Sequence, residues 1–157
     1  KRVLSVLNYW NAATLWKLCW WIDGMNKEFD LGICHGVDKI SMGLHYRAEL
    51  APYELRLEGA QKIKEFVQQS NFCDVESPYH SKKFNKNFAH VQRQFYADTI
   101  DYLSKDYNID ELNLALDGKH PYKYDIKRLA GITKAFDKIR GTNYQKVFPH
   151  MPKFKEY

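Results

Sequence analysis

The stretch FNKNFAHVQRQFYADTIDYL, from Phe84 to Leu103, has the clearest helical period in the chain. At about 100° per residue, its large apolar side chains fall on one narrow stripe and four more apolar residues lie beside that stripe. The stripe consists of Phe84, Phe88, Val91, Phe95 and Tyr102, flanked by Ala89, Tyr96, Ile100 and Leu103. The opposite arc is polar. The pattern therefore predicts a central amphipathic helix that needs a partner surface.

Two further segments predict the partners of this helix. PYELRLEGAQKIKEFVQQ, over residues 52–69, begins with a proline suited to a first helical turn and repeats apolar residues at helical spacing. A last helix is predicted over residues 126–139, and Asp110 is predicted to cap a shorter one before it. We expect the central helix to pack on both 52–69 and 126–139. Replacing Phe88 or Phe95 with alanine is then expected to cost roughly 3 to 5 kcal/mol.

The N-terminal stretch Val3 to Ile22, VLSVLNYWNAATLWKLCWWI, is the most apolar in the chain and is long enough to cross a membrane. Polar residues recur in it at every third position, and on a helix that row leaves no clean face for lipid. These residues are Asn8, Asn11, Thr14 and Lys17. The pattern argues against a transmembrane span and favours a helix buried in the domain, or docked into another subunit, that ends at Asp23-Gly24.

The composition indicates one globular domain. The chain has 157 residues, of which 45% are hydrophobic and 15% aromatic, and so much ring surface excludes a disordered chain. Strand-like alternation of convincing length is absent. The predicted fold class is mostly α: a single compact helical domain over residues 1–157, with about five to six helices and an extended basic and aromatic arm over residues 142–157.

The three cysteines, Cys19, Cys34 and Cys73, are an odd number without a CxxC pair. This argues against a disulfide framework and predicts free thiols that serve as small core residues, as expected in a reducing, intracellular compartment. The first residue, Lys1, is not an initiator methionine. The chain is therefore expected to be processed, tagged and cut, or a piece of a longer protein.

Charge is distributed unevenly along the chain. Residues 1–75 contain nine basic and nine acidic residues, whereas the remainder contains fifteen basic and ten acidic residues and carries the whole net charge of +5. Residues 119–157 alone contain ten basic and three acidic residues. A neutral front and a basic end predict an anionic partner at the C-terminal end.

The segment Tyr124 to Gly141, YDIKRLAGITKAFDKIRG, allows two interpretations. Its Ala130-Gly131-Ile132-Thr133 resembles the turn of the helix-turn-helix in the lac-repressor family of DNA-binding domains, and this resemblance implies a second helix that enters the major groove. The alternative is a single helix capped by Asp125 and closed by Gly141, with an apolar arc and a separate lysine face. The apolar arc holds Ile126, Leu129, Ile132, Phe136 and Ile139. One helix explains more residues and is the interpretation we favour.

Basic and aromatic residues alternate around this helix, a mixture suited to contacts with the phosphates and bases of single-stranded nucleic acid. The predicted binding residues are Lys119, Lys123, Lys127, Lys134, Lys138, Tyr144, Lys146 and Phe148. The predicted function is that of a non-enzymatic binding protein for nucleic acid or another polyanion. The same mixture also suits an interface subunit of a larger protein assembly, which is the main alternative.

A second alternative is an enzyme whose site is assembled from distant residues around Cys34, His35, His45 and Glu49. The first two lie in the glycine-punctuated stretch 29–43, which has no helical period and predicts a loop or a pair of short elements. The other two are four residues apart, a spacing that would place them on one helix face. No motif for phosphate binding, for an activated nucleophile or for a metal site accompanies them. We therefore expect no cofactor and no metal.

Overall fold

The computed structural model describes residues 2–39, 43–76, 85–116, 118 and 121–154. Two strands and six α-helices are present among them, together with two short 3₁₀ helices at Leu44–Tyr46 and Ala48–Leu50. In chain order these are β1 (Arg2–Val6), α1 (Leu15–Phe29), β2 (Cys34–Asp38), α2 (Tyr53–Gln69), α3 (Lys86–Ser104), α4 (Ile109–Ala115), α5 (Ile126–Arg140) and α6 (Tyr144–Val147). The prediction of a mostly helical single domain with five to six helices is confirmed.

The N-terminal segment is not one helix, and this prediction was wrong. Residues 2–6 form β1, and α1 begins only at Leu15 and runs past Asp23-Gly24 to Phe29. The side chains of Asn8 and Asn11 explain the break, because they bond backbone groups that a helix would use. Asn11 Oδ1 accepts from Asn8 N at 2.8 Å, and both Asn side-chain amides donate to Val6 O. Such local bonds compete with helix formation.

Strand β2 pairs with β1 in parallel, with Val3 opposite His35, and α1 makes the crossover between the two strands. In the described part of the stretch 29–43, Cys34–Asp38 thus forms a short strand. The outer edge of β2 is bonded by a side chain of α3, because His35 N donates to Gln92 Oε1 at 2.8 Å and Gln92 Nε2 donates to His35 O at 2.7 Å. The Gln92 amide therefore makes the two hydrogen bonds that a third strand would make with the backbone of His35.

Helix α3 exists where the sequence predicts it, but its buried face is rotated. The buried residues are Ala89, Gln92, Tyr96, Thr99 and Leu103. Val91, on the predicted stripe, is 49% exposed, and the rings of Phe88, Phe95 and Tyr102 are only half-buried. Phe84 lies outside the described residues. The two buried polar side chains explain the rotation: Gln92 bonds β2, and Thr99 Oγ1 donates to Phe95 O at 2.7 Å.

Helix α3 packs on α2 and on β2, and α1 packs on α2. The predicted packing of α3 on residues 52–69 is thus confirmed. Helix α5 instead makes its main contact with the 3₁₀ helix Leu44–Tyr46. One core cluster runs through these elements and includes Leu7, Tyr9, Leu15, Ile63, Phe66, Tyr96, Leu103, Leu129 and Met151. Among the described residues, no helix is long and apolar enough to cross a membrane.

Local capping predictions are confirmed at α5 and corrected at α4. Asp125 accepts from the backbone N–H groups of Lys127 and Arg128, and Gly141 closes the helix at φ 64°. Because α5 is continuous through Gly131, it is the single helix and not a helix-turn-helix. Asn108, not Asp110, caps α4. Asn108 Oδ1 accepts from two backbone N–H groups, so the helix begins two residues earlier than the sequence suggests.

The predicted C-terminal arm is not free. Residues 144–147 form α6, while the chain from Phe148 to Phe154 has no further helix or strand. Met151 is buried in the core cluster, and Phe148 and Phe154 pack against it. Residues 155–157 lie outside the described part. The described segment of the predicted arm therefore packs on the core, because Phe154 stacks on Tyr9 and Phe148 stacks on Trp10 in the N-terminal turn, residues 9–14.

Candidate polyanion-binding surface

Helix α5 presents the predicted lysine face to solvent. Lys127, Lys134 and Lys138 are all exposed, and at 100° per residue they fall within about 40° of one another. The buried side of the helix is formed by Leu129, Ala130 and Thr133, which lie on a different arc. The lysines extend over about 16 Å of helix axis. The helix therefore carries a linear array of cations that its own fold does not bury.

The carboxylates nearest to this face in sequence are already engaged. Residues 121–154 contain eight basic side chains but only two acidic ones, Asp125 and Asp137. The Asp125 carboxylate caps α5. Asp137 Oδ1 accepts from Thr142 Oγ1 and Asp137 Oδ2 accepts from Tyr144 N, each at 2.8 Å. Both acidic groups therefore serve helix ends, and a strong positive excess remains in this segment.

Lys123 lies at one end of the lysine face, beside a cleft of about 350 Å³ between α4 and α5. Asn113, Tyr122 and Arg128 also line this cleft, and the Arg128 guanidinium lies 4.7 Å above the Tyr122 ring. Lys146 is exposed on α6. Lys119 lies outside the described residues. Exposed basic side chains are thus present in the segments before and after α5 as well as on the helix.

The two aromatic residues of the predicted site have another role. Trp10 lies between them, with ring centroids 5.1 Å from Phe148 and 5.5 Å from Tyr144. Tyr144 Oη accepts from Phe154 N at 2.8 Å, and Phe154 stacks on Tyr9 at 5.9 Å. These rings hold the C-terminal segment on the N-terminal turn. Tyr144 and Phe148 thus each contact other rings of the protein, and both are half-buried.

The four residues of the enzyme alternative are not brought together in one site. His45 and Glu49 lie in successive 3₁₀ helices and not on one helix face. The Glu49 carboxylate pairs with Arg47 at 2.7 Å and accepts from Tyr124 Oη at 3.3 Å. His45 Nδ1 is buried without a hydrogen-bond partner, and burial, followed by the charge of Arg128, lowers the pKa of His45.

Cys34, in the same alternative, does not have the environment of an activated nucleophile. Burial raises the pKa of the Cys34 thiol, which is the opposite of what an activated nucleophile requires. All three cysteines are free, as predicted, with Cys19 and Cys73 in the core. In the part of the chain that the structure describes, no group of three His, Cys, Asp or Glu side chains could hold a metal ion.

A buried polar network around His35 was not predicted. The ring of His35 is completely buried, with Nε2 2.8 Å from Ser5 Oγ and Nδ1 3.0 Å from Tyr96 Oη. Cys19 Sγ lies 3.8 Å from the same Nδ1. The network joins β1, β2, α1 and α3. Burial lowers the pKa of His35 to about 4, so the ring is neutral near pH 7.

Acid is therefore expected to destabilise the fold through His35. The unfolded ring has a pKa of 6.5 and the folded ring of about 4, so the unfolded chain binds the proton first and stability falls as the pH decreases through this window. The expected loss from pH 7 to pH 5 is about 2 kcal/mol, and His45 shifts in the same direction. Urea unfolding at several pH values measures the loss. NMR titration supplies the decisive control, because a His35 ring that titrates near 6.5 in the folded protein would contradict the prediction.

Comparison of the chain with protein-family models, with curated proteins and with solved structures finds no match.

Proposed function

We propose that the protein binds nucleic acid or another polyanion through the lysine face of α5. The observation that carries the proposal is the exposed array of Lys127, Lys134 and Lys138 in a segment whose two acidic side chains, Asp125 and Asp137, are committed to helix ends. Duplex DNA carries one charge per about 1.7 Å of axis, so an array of about 16 Å can reach several phosphates. Lys123, just before the N-terminal end of α5, extends the same surface.

The packing of the aromatic rings decides which contacts with a nucleic acid we expect. Tyr144 and Phe148 pack on Trp10, so base stacking on them is not part of the proposal. The lysines recognise charge, not sequence, because ammonium groups on phosphates carry no base information. We therefore expect a modest difference between single strands and duplex. Removing the segment from Tyr144 onward would not test this point, since Met151 belongs to the core.

The decisive experiment replaces Lys127, Lys134 and Lys138 together with glutamine. The fold should persist because all three side chains are exposed. Binding to fluorescein-labelled single-stranded DNA, duplex DNA and heparin should weaken for each ligand that the surface accepts. The slope of log affinity against log salt should become shallower by about 2 to 3, since each lost phosphate contact releases about one fewer counterion.

A matched control tests whether the position of the charge matters. Lys17, Lys27 and Lys64 are also exposed, on α1 and α2, and their replacement by glutamine removes the same total charge. This second triple variant should keep the wild-type salt slope within about one unit. Equal losses in both triple variants would show attraction by net charge alone. Wild-type protein without salt-dependent binding to any of these ligands near physiological ionic strength would overturn the proposal.

The second candidate function is that of a subunit in a larger protein assembly. The observation that favours it is the exposure of three large apolar side chains, Phe136, Ile139 and Val147, near the C-terminal end of α5. The mass in solution, measured by light scattering after size exclusion, tests this candidate. A monomer that binds no other protein would argue against it.

A further inference from the structure

A groove lies between the N-terminal turn and the C-terminal ends of α5 and α6. It has a volume of about 280 Å³ and a mainly apolar lining that includes Trp10, Tyr46, Phe136, Tyr144, Val147 and Phe148. The rings of Trp10 and Phe148 stack on each other at 5.1 Å and fix one wall. Both rings pack against the core cluster, so this wall of the groove is held by the core.

The apolar surface continues from this groove along α5. Phe136 is 45% exposed, Val147 is 59% exposed, and Ile139, one helical turn from Phe136, is 79% exposed. The sequence placed Phe136 and Ile139 on the buried arc of the helix, but the structure leaves both in solvent. Contiguous apolar surface of this kind marks an interaction site more often than scattered single residues do.

The rim of the groove is positively charged. The Arg140 guanidinium lies 5.0 Å above the Phe136 ring, and Lys146 is exposed on α6 next to Val147. The acidic residue in the lining is Asp137, and both of its oxygens accept hydrogen bonds from Thr142 and Tyr144. An apolar floor with a cationic rim complements a ligand that has apolar anchors and carboxylates.

We propose that this groove binds an acidic amphipathic segment of a partner protein. One large apolar side chain of the segment fills the space between Phe136 and Val147, a second covers Ile139, and flanking carboxylates pair with Arg140 and Lys146. Helical segments bound in grooves present anchors at such spacings. The proposal rests on the assembly-subunit function and names the surface and the kind of partner that this function would use.

Charge argues against the two other occupants that the surface suggests. A symmetric contact with a second copy would bring the cationic rims of the two copies together, and like charges across an interface are unfavourable. Nucleic acid presents phosphates, which pair with cations and gain nothing from contact with the apolar side chains of Ile139 and Val147. The lysine face also lies at least about 100° around α5 from Phe136 and Ile139. The two surfaces are therefore separable by mutation.

The experiment uses three labelled synthetic peptides of equal length. The first has Leu and Phe at positions i, i+3, i+4 and i+7 with Glu elsewhere, the second has Lys in place of Glu, and the third has Ser in place of Leu and Phe. We expect the wild-type protein to bind the first at least about tenfold more tightly than either of the others, a difference of about 1.4 kcal/mol. Fluorescence anisotropy measures all three.

Variants then locate the site. Ile139→Ser with Val147→Ser should weaken binding of the Glu peptide by about tenfold or more, and Arg140→Gln should weaken it several-fold and reduce its salt dependence. Leu114→Ser is the matched control, because Leu114 on α4 is 80% exposed and lies outside the groove. It should bind as the wild type does. If the double variant loses its fold, Ile139→Ser alone provides the test.

Four results with the peptides and the double variant would overturn the proposal. These are equal binding of the Glu and Lys peptides, no preference over the Ser peptide, an unchanged affinity in the double variant, or a wild-type dimer that the double variant dissociates. The last result would identify a second copy of this chain as the occupant. The variant lacking Lys127, Lys134 and Lys138 should retain binding of the Glu peptide. An equal loss in that variant would show charge attraction without a groove and would also overturn the proposal.

Discussion

Replacing Gly59 with alanine is expected to destabilise the protein by about 3 kcal/mol or more, the upper part of the usual range for overpacking. Gly59 lies on α2 against the turn that precedes α1. A Cβ added there would lie 2.0 Å from the carbonyl oxygen of Ala12 and 3.1 Å from the Cα of Ala13. Both are backbone atoms, so no side-chain rotation can relieve the contact, and α2 would have to move away from the turn.

The same substitution should have the opposite sign at two other helical glycines. Gly24 in α1 and Gly131 in α5 have no heavy atom within 4 Å of an added Cβ. Alanine there should stabilise the fold by up to about 1 kcal/mol, because it is the better helix former. Urea unfolding of the three variants, followed by circular dichroism, measures these differences. Equal midpoints for Gly59→Ala and Gly131→Ala would show that α2 does not approach the turn as closely as described.

Helices α2, α3 and α5 were predictable because their signals are local. Asp125 and Gly141 define the ends of α5, and a period of 3.6 residues identifies the other two helices. The N-terminal strand was not predictable by the same means. Its partner is β2, more than thirty positions away for each paired residue, and a pairing at that distance leaves no periodic trace in five residues.

The candidate binding surface divides in the same way. The exposure of Lys127, Lys134 and Lys138 follows from helical geometry and was foreseen. The packing of Tyr144 and Phe148 against Trp10 was not foreseen, because Trp10 comes from the other end of the chain. The exposed apolar patch was missed for a related reason. Periodicity shows that Phe136 and Ile139 are apolar, but only the packing of α5 against Leu44–Tyr46 decides which face is covered.

The rotation of α3 shows why the spacing of apolar residues predicts the wrong buried face when a polar residue is also buried. Gln92 lies on the covered face although it is a polar residue. Its side chain is buried because both of its polar groups bond the backbone of His35. The neighbouring rings of Phe88 and Phe95 are consequently displaced to the margin. A rotation of this size changes which substitution should be most damaging.

Replacing Tyr96 with alanine is therefore expected to cost about 3 to 5 kcal/mol, whereas Phe95→Ala should cost roughly 1 to 2 kcal/mol. The Tyr96 ring is 2% exposed and lies 5.3 Å from Phe66 at the centre of the core, and its hydroxyl group is 3.0 Å from His35 Nδ1. The Phe95 ring is half-buried and lies 5.2 Å from the Arg2 guanidinium. The loss of roughly 3 to 5 kcal/mol that the sequence predicts for alanine at Phe88 or Phe95 is therefore expected at Tyr96 instead.

Tyr96→Phe separates the two contributions of this side chain. It keeps the ring but leaves His35 Nδ1 without its hydroxyl partner, so about 1 to 3 kcal/mol should be lost. Chemical denaturation of the three variants gives the order of stability, and Tyr96→Phe remains informative if Tyr96→Ala does not fold. If Phe95→Ala lowered the stability more than Tyr96→Ala does, the buried face of α3 would be the stripe predicted from the hydropathy pattern. The expected order instead requires that Gln92 and Thr99 face the core, because Tyr96 can occupy its centre only in that rotation.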